Sequence, residues 1–322
     1  MSRPFAPRLR VSSYLSDWMP SGDTARNSVA GYVAGGIEGG SYITRIDKLA
    51  FPAETKSTLS ATLTTGVYGP ASMANSGIAG YVGGGHSVTL KVNTIDKIAF
   101  PADTKTTLSA TLTAIIYLAG GVSNSGVAGY FGGGNAAANS SGIDKITFPA
   151  DSKSTLAATL STARYAMAVM SNYGVAGYFA GGTDSSGYIN GIDKLTFSGE
   201  TTSTLSPTLS TGRELPSGFA DNGVAGYSAG GYDTGYISGI DKIAFSADTK
   251  TTLAATLTTA NFRAAAMADS GIAGYICGGD TSPGRVDRID KIAFPADTKS
   301  TLGATISGLV QMFTGFADCG VF

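Results

Sequence analysis

The chain has 322 residues, of which 43% are apolar and 14% are charged, and its formal net charge at pH 7 is -1. The apolar fraction is sufficient for a packed core, and a content of 45 glycines excludes a coiled coil or an ordinary helical enzyme. A nearly neutral chain has no electrostatic basis for binding nucleic acid or an anionic membrane. No apolar stretch reaches the roughly 18 residues that a membrane span requires, so we expect no membrane insertion.

The first 28 residues differ in composition from the rest of the chain. They contain three prolines, several arginines and the single tryptophan. An aromatic residue near arginines is typical of an interface anchor. We therefore predict an N-terminal arm over residues 1–28 that attaches the chain to another protein, with Arg8, Arg10 and Trp18 as candidate attachment residues. A disordered leader and a segment packed beneath the rest of the chain are the alternatives.

From residue 29 onward the sequence consists of six copies of one unit. A Gly-Tyr-x-x-Gly-Gly segment recurs at steps of 48 or 49 residues, and an Ile-Asp-Lys tripeptide follows each one. The tyrosines are Tyr32, Tyr81, Tyr130, Tyr178, Tyr227 and Tyr275. The aspartates are Asp47, Asp96, Asp144, Asp193, Asp241 and Asp290. Such a period indicates a repeat architecture in which each unit packs on its neighbours.

Each unit is interpreted as four short strands separated by turn residues. Gly, Ser and Asn stand at the breaks, and no segment has a 3.6-residue period long enough for a helix. In the copy near Tyr165 the predicted strands are 166–170, 174–182, 191–197 and 203–209. Four-stranded sheets repeated at this length are typical of β-propeller blades. The sequence therefore predicts an all-β propeller with four antiparallel strands in each blade.

Three further features occur at fixed places in the unit: a double glycine after the apolar second strand, a downstream phenylalanine, and Thr-Ala-Arg or Thr-Gly-Arg after the fourth strand. They include Gly181-Gly182, Gly230-Gly231, Phe197, Phe245, Arg164 and Arg213. With these features residues 29–322 resemble the kelch family of β-propellers, although leucine replaces the kelch tryptophan. The near-identical copies, rich in Ser, Thr, Gly and Ala, also resemble the propellers of phage virion appendages.

The strand count predicts six blades. The second, third and fourth strands occur six times, but residues 19–27 are too polar to be the first strand of the first blade. The segment 311–318 resembles residues 264–269 and can supply that strand. The C-terminal strand would then close the first blade and hide both edges of the sheet. A seven-bladed ring that uses the N-terminal residues as an additional outer strand is the alternative.

The Ile-Asp-Lys tripeptide places an acid and a base at neighbouring positions of the third strand. Because neighbouring residues of a strand point to opposite faces, Asp47 and Lys48 should face different blades. We predict partly buried pairs in which the Asp of one blade meets the Lys of the next, and which set register more than net stability.

The chain lacks the residue sets that most active sites require. Its single histidine, His86, follows three glycines with no acid nearby in sequence, so we predict a surface loop residue. Metal sites usually need several His or Cys ligands, and the chain has one His and two Cys. Cys277 and Cys319 are predicted to be buried free thiols. We expect no enzyme activity, no catalytic residue, no cofactor and no metal.

Three carboxylates lie in equivalent loops, at Asp184, Asp233 and Asp280. Their surroundings, such as Thr-Asp-Ser-Ser-Gly, are ordinary turn sequences, and a turn role is the interpretation we favour. A calcium site is the alternative, since loop carboxylates and carbonyls are hard oxygen ligands.

The six copies differ mainly in two loops, one after the double glycine and one between successive units. In an up-and-down blade both loops open at the same end, so we expect them to share one face. Tyrosines with interleaved Asn, Asp and Arg are typical of a recognition surface on a rigid scaffold. Neutral drift of exposed loops is the competing interpretation. The candidate binding residues are Tyr42, Tyr68, Tyr117, Arg164, Tyr165, Asp184, Tyr188, Arg213, Tyr232, Asp233, Tyr236, Phe262 and Arg285.

The resemblance to phage appendage propellers implies a non-enzymatic structural and recognition protein of a virion tail, neck or fibre. The arm would bind other virion proteins, and the loop surface would bind a host surface glycan or another protein. The alternative is a cytoplasmic scaffold of the kelch type that binds a protein partner at the same surface.

Overall fold

The computed structural model describes residues 29–318, and within them the fold is all-β with 29 strands and no helix. In chain order the strands are β1 (Ala30–Ala34), β2 (Ile37–Glu38), β3 (Ser41–Tyr42), β4 (Ile46–Ala50), β5 (Thr55–Thr58), β6 (Ala71–Asn75), β7 (Ala79–Gly83), β8 (Ile95–Ala99), β9 (Thr104–Thr107), β10 (Gly120–Asn124), β11 (Ala128–Gly132), β12 (Ile143–Thr147), β13 (Ser152–Thr155), β14 (Ala168–Asn172), β15 (Ala176–Ala180), β16 (Ile192–Thr196), β17 (Thr201–Thr204), β18 (Ser217–Asp221), β19 (Ala225–Ala229), β20 (Ile240–Ala244), β21 (Thr249–Thr252), β22 (Asn261–Phe262), β23 (Ala265–Asp269), β24 (Ala273–Cys277), β25 (Asp280–Thr281), β26 (Arg288–Ala293), β27 (Thr298–Thr305), β28 (Val310–Gln311) and β29 (Thr314–Ala317).

The strands form repeated four-stranded antiparallel sheets, the arrangement of a β-propeller. Sheet 1 has the order β29-β1-β4-β5, and sheet 2 has the order β6-β7-β8-β9. Sheets 3, 4 and 5 have the orders β10-β11-β12-β13, β14-β15-β16-β17 and β18-β19-β20-β21, and sheet 6 has the order β23-β24-β26-β27. Two smaller sheets, β28-β2-β3 and β22-β25, lie in the connecting loops. The predicted arm and its residues Arg8, Arg10 and Trp18 lie outside the described residues, as does Cys319.

The C-terminal strand completes the first sheet, as the sequence predicts. Strand β29 pairs antiparallel with β1, with Gly31 opposite Ala317 and Tyr32 opposite Phe316. The backbone N–H of Val29 also donates to Asp318 Oδ1 at 2.9 Å. The two ends of the described chain therefore share one sheet, and β1 is not left as a free edge.

The first strands of the sheets contact one another in a cycle, from β6 through β10, β14, β18, β23 and β29 back to β6. They approach so closely that every second sheet around the cycle has a glycine where its first strand meets the backbone of the neighbouring first strand. A Cβ on Gly218 would lie 2.3 Å from the carbonyl oxygen of Val169, and one on Gly315 would lie 2.0 Å from that of Ala266. Contact between backbones explains why small residues recur in the first two strands, where they would otherwise weaken a sheet.

A ring of backbone hydrogen bonds surrounds the axis at one end of the first strands. Each of six residues donates its N–H to the carbonyl of the preceding member, and the N···O distances lie between 2.6 and 3.3 Å. All six have a positive φ, between 50° and 62° for the five that are not glycine. The members are Gly69, Leu118, Ala166, Leu215, Arg263 and Met312.

In each sheet, the tyrosine of the second strand links that sheet to the next one. Tyr178, for example, stacks on Phe245 with ring centroids 5.0 Å apart and donates its hydroxyl to Asp248 Oδ1 at 2.9 Å. Burial and the neighbouring carboxylate raise the pKa of this phenol, which therefore stays protonated as a donor. The same pair of contacts links Tyr275 of sheet 6 to Phe51 and Glu54 of sheet 1.

The Ile-Asp-Lys tripeptides connect neighbouring sheets, but the predicted pairing of Asp with Lys is wrong. Lys48 Nζ lies 2.7 Å from Asp103 Oδ2, in the turn between the third and fourth strands of the next sheet. Asp96 of the third strand instead accepts from the N–H and hydroxyl of Thr64 in the preceding sheet. Hydroxyl and amide groups, together with Lys105 of the same sheet at 3.4 Å, thus contact the carboxylate of Asp96, while the turn acid lies at the level of the tripeptide Lys. The equivalent lysine pairs are Lys97–Asp151, Lys145–Glu200, Lys194–Asp248, Lys242–Asp297 and Lys291–Glu54.

Candidate recognition surface

The two variable loops lie at the same end of the sheets, as the sequence predicts. The loop that enters each sheet pairs with the loop after the double glycine of that sheet, as Tyr68 pairs with His86, which in turn pairs with Lys91. We call this end the loop face. The opposite end, formed by the turns between the first and second strands and between the third and fourth strands, is called the turn face.

The pairing repeats in all six sheets and produces an array of eighteen positions, which we call the loop grid. Residues paired side by side project their side chains from the same side of the strands. The inner row contains Tyr68, Tyr117, Tyr165, Glu214, Phe262 and Gln311. The middle row contains His86, Asn135, Thr183, Tyr232, Asp280 and Ile37. The outer row contains Lys91, Asn139, Tyr188, Tyr236, Arg285 and Tyr42.

Every aromatic residue predicted for the binding surface occupies the loop grid. These residues are Tyr42, Tyr68, Tyr117, Tyr165, Tyr188, Tyr232, Tyr236 and Phe262. Tyr188 and Tyr236 are the most open, with exposed fractions of 42% and 39%, whereas Phe262 is buried. The structure therefore brings together side chains that are up to 220 residues apart in sequence, since Tyr42 and Phe262 occupy the same grid.

Four rings from sheets 1 to 3 form the first aromatic cluster. The centroid of Tyr68 lies 5.2 Å from Tyr42, 5.1 Å from His86 and 5.5 Å from Tyr117. Lys91 Nζ lies 4.8 Å from the Tyr117 centroid, in the position of a cation-π contact. The histidine is thus a packed member of the cluster, because its ring stacks on Tyr68 and its Nδ1 lies 2.6 Å from the carbonyl oxygen of Ser87.

Four rings from sheets 4 to 6 form the second aromatic cluster. Tyr232 lies at its centre, with its centroid 6.1 Å from Tyr188, 5.7 Å from Tyr236 and 5.5 Å from Phe262. Tyr236 meets Phe262 edge to face at 5.1 Å. Edge-to-face geometry holds each ring at a fixed angle, so the two open tyrosines present defined surfaces.

Three tyrosines of the loop face have a raised pKa. Burial, followed by the neighbouring tyrosines Tyr117 and Tyr42, raises the pKa of Tyr68. Burial and the negative charge of Glu214 raise the pKa of Tyr165 and of Tyr188. Each phenol therefore keeps its proton and offers both a donor and an acceptor to a ligand.

Two arginines predicted for the binding surface belong to the interior. Arg164 and Arg213 are each 1% exposed and form ion pairs at 2.8 Å with Asp193 and Asp241. Arg213 Nη1 also donates to the carbonyl oxygen of Gly230 at 3.1 Å, so its side chain folds back beneath the double glycine. The prediction that these residues bind a ligand is wrong, because both guanidinium groups are buried and form ion pairs inside their own sheets.

The loop carboxylates have local roles. Asp184 accepts from the N–H groups of Ser186 and Gly187, and Asp233 accepts from those of Thr234 and Gly235, so both stabilise their own turns. Asp280 instead pairs with Arg263 and with the predicted surface residue Arg285. Between residues 29 and 318 no group of three or more His, Cys, Asp or Glu side chains is placed to hold a metal ion.

A cavity of about 100 Å³ lies on the axis at the loop face. Residues of the hydrogen-bond ring line it, and Arg263 is the charged member of the described lining. Its Nη1 donates to Asp280 Oδ2 and Gln311 Oε1, both at 3.2 Å, and its guanidinium carbon lies 4.4 Å from the Phe262 centroid. The sequence did not identify this arginine, because its position beside the second aromatic cluster follows from the folded structure.

Comparison with known proteins supports the fold and leaves the activity open. No protein-family model and no curated protein matches the chain. The solved structure of YjhT, a kelch-like β-propeller protein, is similar over 88% of this chain and 99% of that chain, with a TM-score of 0.67 and 14% sequence identity. At that identity the similarity shows a shared β-propeller fold and nothing further. No helix long and apolar enough to cross a membrane occurs among residues 29–318.

Proposed function

We propose that this chain is a non-enzymatic recognition protein, built as a closed six-bladed propeller, whose loop grid binds a surface glycan. The observation that carries the proposal is the concentration of eight aromatic residues among the eighteen positions of the loop grid, beside amide, hydroxyl and charged neighbours. A rigid scaffold that presents half-exposed aromatic and polar side chains in a fixed array is typical of a binding surface.

The six-bladed closure rests on contacts that repeat between every pair of neighbouring sheets. Tyr275 and Lys291 of sheet 6 both reach Glu54 of sheet 1, as their equivalents do elsewhere around the axis. Ser307 likewise donates its N–H to Asp47 across the same boundary, at 2.7 Å. The cycle of first-strand contacts and the ring of six backbone hydrogen bonds support the same closure. A seven-bladed ring would have to interrupt all of these contacts.

A glycan is the ligand class that best fits the second aromatic cluster. Tyr188 and Tyr236 expose flat apolar ring surfaces together with their hydroxyl groups. A sugar ring presents the complementary combination of apolar C–H faces and hydroxyl groups. Glu214 and Asp280 lie in the adjacent grid positions and can accept hydrogen bonds from such hydroxyls.

The first aromatic cluster favours a second candidate, a protein partner. Three aliphatic side chains near it are strongly exposed, Val88 at 79%, Leu90 at 66% and Ile115 at 52%. Exposed aliphatic groups beside aromatic rings are typical of a protein-protein contact. This candidate corresponds to the kelch-type scaffold, whereas a glycan ligand corresponds to a virion protein that recognises a host surface and attaches through residues 1–28.

The experiment compares two double variants against one array of glycans and one pull-down from host envelope. We expect Tyr188→Ala/Tyr236→Ala to abolish glycan binding and Tyr42→Ala/Tyr117→Ala to leave it intact. The control is Val127→Thr on the turn face, which should bind as the parent does. Loss of binding in neither aromatic variant would overturn the recognition proposal. Loss of a protein partner in the Tyr42→Ala/Tyr117→Ala variant alone would favour the scaffold.

A further inference from the structure

The turn face carries a ring of exposed aliphatic residues at six equivalent positions. Each side chain is valine or isoleucine, and the exposed fractions lie between 48% and 64%. The members of this aliphatic ring are Val29, Ile78, Val127, Val175, Val224 and Ile272. Single exposed aliphatic residues need no explanation, but six at equivalent positions of one face form a repeated apolar feature, with polar turn residues such as Ser76 and Asn222 between them.

The backbone presents these side chains rigidly. The N–H of Val175 donates to the carbonyl oxygen of Asn172 at 3.1 Å, and its own carbonyl accepts from Phe197 at 2.9 Å. Five of the six members make both bonds, and Val29 makes the second one with Phe51. The ring therefore cannot turn its side chains into the core, and its apolar surface persists unless something covers it.

The outer turns around the aliphatic ring are weakly polar, whereas the inner turns that carry the ring also hold three carboxylates, at Asp221, Asp269 and Asp318. The outer turns of the same face expose Pro-Ala, Ser-Gly or Ser-Ala pairs, such as Pro101-Ala102. The turn acids beside them, for example Asp103, are held in ion pairs with lysine. An apolar occupant meets no unpaired charge from these outer turns, whereas a strongly charged partner would find no complementary group in them.

The chain itself contains a segment that fits this surface. Val29 belongs to the aliphatic ring and directly follows residues 1–28. Within them the apolar residues have the spacing i, i+3, i+4, i+7 and i+8, which places them on one side of a helix. They are Val11, Tyr14, Leu15, Trp18 and Met19, and serines and an aspartate occupy the positions between them.

The connection is long enough for the segment to reach the ring. Val29 lies ten positions after Met19, and an extended chain of that length spans up to about 33 Å. Sheets pack roughly 10 Å apart, so residues 11–19 can reach any of the neighbouring turns. A nine-residue helix is about 13 Å long and can lie across two of them.

We propose that residues 11–19 dock in cis on the aliphatic ring of the turn face, with Trp18 in the contact. The occupant is this segment of the same chain, and a second copy of the chain is the outcome that the experiment separates from it. The docked segment would cover the apolar surface and fix where residues 1–10 leave the propeller. This proposal depends on the turn face alone, so it stands or falls independently of any ligand at the loop grid.

The single tryptophan makes the test direct, because all indole fluorescence of the full chain comes from Trp18. We expect its emission in the folded protein to be blue-shifted, and its quenching by acrylamide to be several-fold weaker, relative to the urea-unfolded chain. Replacing all six ring residues by threonine keeps their shape and strand preference but makes the surface polar. That variant should shift the emission to the red and restore quenching.

Two matched variants complete the experiment. Ile115→Thr/Leu309→Thr replaces exposed aliphatic residues away from the turn face and should leave the fluorescence unchanged. Leu15→Ser changes the segment and leaves the propeller intact, so it should expose Trp18 even if the six-residue variant fails to fold. A fully quenchable Trp18 in the parent protein would overturn the proposal. So would shielding that is unaffected by Leu15→Ser, or shielding that is lost on dilution together with an oligomer, which would assign the ring to a second copy.

Discussion

The first strands around the axis and the loop grid are built from the same six repeats, but neighbouring groups constrain them in opposite ways. In the first strands a glycine such as Gly218 lies against the backbone of the preceding sheet, and a single added carbon would collide with it. At the loop grid, Gly235 has open space around the position of its Cβ. The repeat therefore restricts side chains where sheets meet and leaves them free where sheets end.

The difference explains where the copies diverge. Positions that touch a neighbouring sheet need the same partner six times, so Tyr, Asp and Lys recur at each of them. Backbone pairing occurs at the grid positions whatever the side chain, so the inner row can hold Tyr165, Glu214 and Gln311 at equivalent places. Functional side chains can thus vary without disturbing the contacts that hold the propeller together.

Alanine substitution at the two glycines tests this contrast most strongly. We expect Gly218→Ala to lower the free energy of unfolding by about 3 kcal/mol or more, because its Cβ would lie 2.3 Å from the carbonyl oxygen of Val169. Gly235→Ala should change stability by less than about 0.5 kcal/mol. Urea unfolding of both variants measures the difference, and similar values for the two would show that the first strands can separate.

A smaller effect is expected from the buried arginine of sheet 5. Val67 is the equivalent of Arg213 in sheet 2. The backbone carbonyl of each residue accepts from the N–H of the second glycine in the double glycine of the preceding sheet. Arg213→Val should therefore fold, at a cost of about 2 to 3 kcal/mol for the lost charged hydrogen bonds to Asp241. The matched surface variant Arg285→Val should cost no more than about 1 kcal/mol, because its pair with Asp280 is half-exposed. Equal costs in denaturant unfolding would contradict the assignment of Arg213 to the interior.

Acidification should weaken the sheet boundaries before it affects the loop grid. Burial alone would raise the pKa of Asp241, but hydrogen bonds from Thr252 and Ser210 lower it overall. Its stabilising contribution is present above the ordinary aspartate pKa of about 3.9 and is lost as the pH falls through the lower folded value. We expect melting temperatures to fall below about pH 4 in the parent and less steeply in Asp241→Asn. Identical pH profiles would contradict the role of this carboxylate.

The smallest expected change is an increase in stability. Burial raises the pKa of Asp221, which means that the ionised form is disfavoured in the fold. Three other sheets carry asparagine there, at Asn75, Asn124 and Asn172, and the amide oxygen of Asn75 accepts from Gly126 N–H just as Asp221 accepts from Gly271. Asp221→Asn should therefore stabilise the protein at pH 7 by up to about 1 kcal/mol, and the gain should vanish at acidic pH. A loss of stability at pH 7 in thermal unfolding would contradict this account.

The sequence was sufficient for the features that depend on the period of the chain. The number of strands in each unit, the C-terminal strand of sheet 1 and the shared end of the two variable loops all follow from turn residues and strand count. The fourth strand was misplaced, since it was predicted at 203–209 in the copy near Tyr165, whereas β17 spans Thr201–Thr204 and the alternating residues follow it. The aromatic members of the loop grid were predictable too, because divergent loops at one end of a scaffold must meet.

The errors concern groups whose partners are distant in sequence. Nothing near Arg213 in the sequence shows that its guanidinium folds beneath a double glycine and meets Asp241. The predicted partner of Lys48 was wrong because alternation shows on which face of the sheet a side chain lies. It does not show which residue of the next sheet stands opposite that side chain. Arg263 was missed for a similar reason, since its position beside the axis depends on a left-handed backbone, with φ of 62°.

The pairing of β29 with β1 also determines when the fold can be completed during synthesis. Val29 and Asp318 are 289 residues apart, yet they belong to one sheet. A ribosome produces β1, β4 and β5 long before β29, so this sheet waits with its inner edge open while the other five assemble. During that interval Tyr32 lacks Phe316, on which it stacks in the finished protein at 5.2 Å. Until β29 has been synthesised, β1 is therefore an unprotected strand edge, and that edge is where premature association would begin.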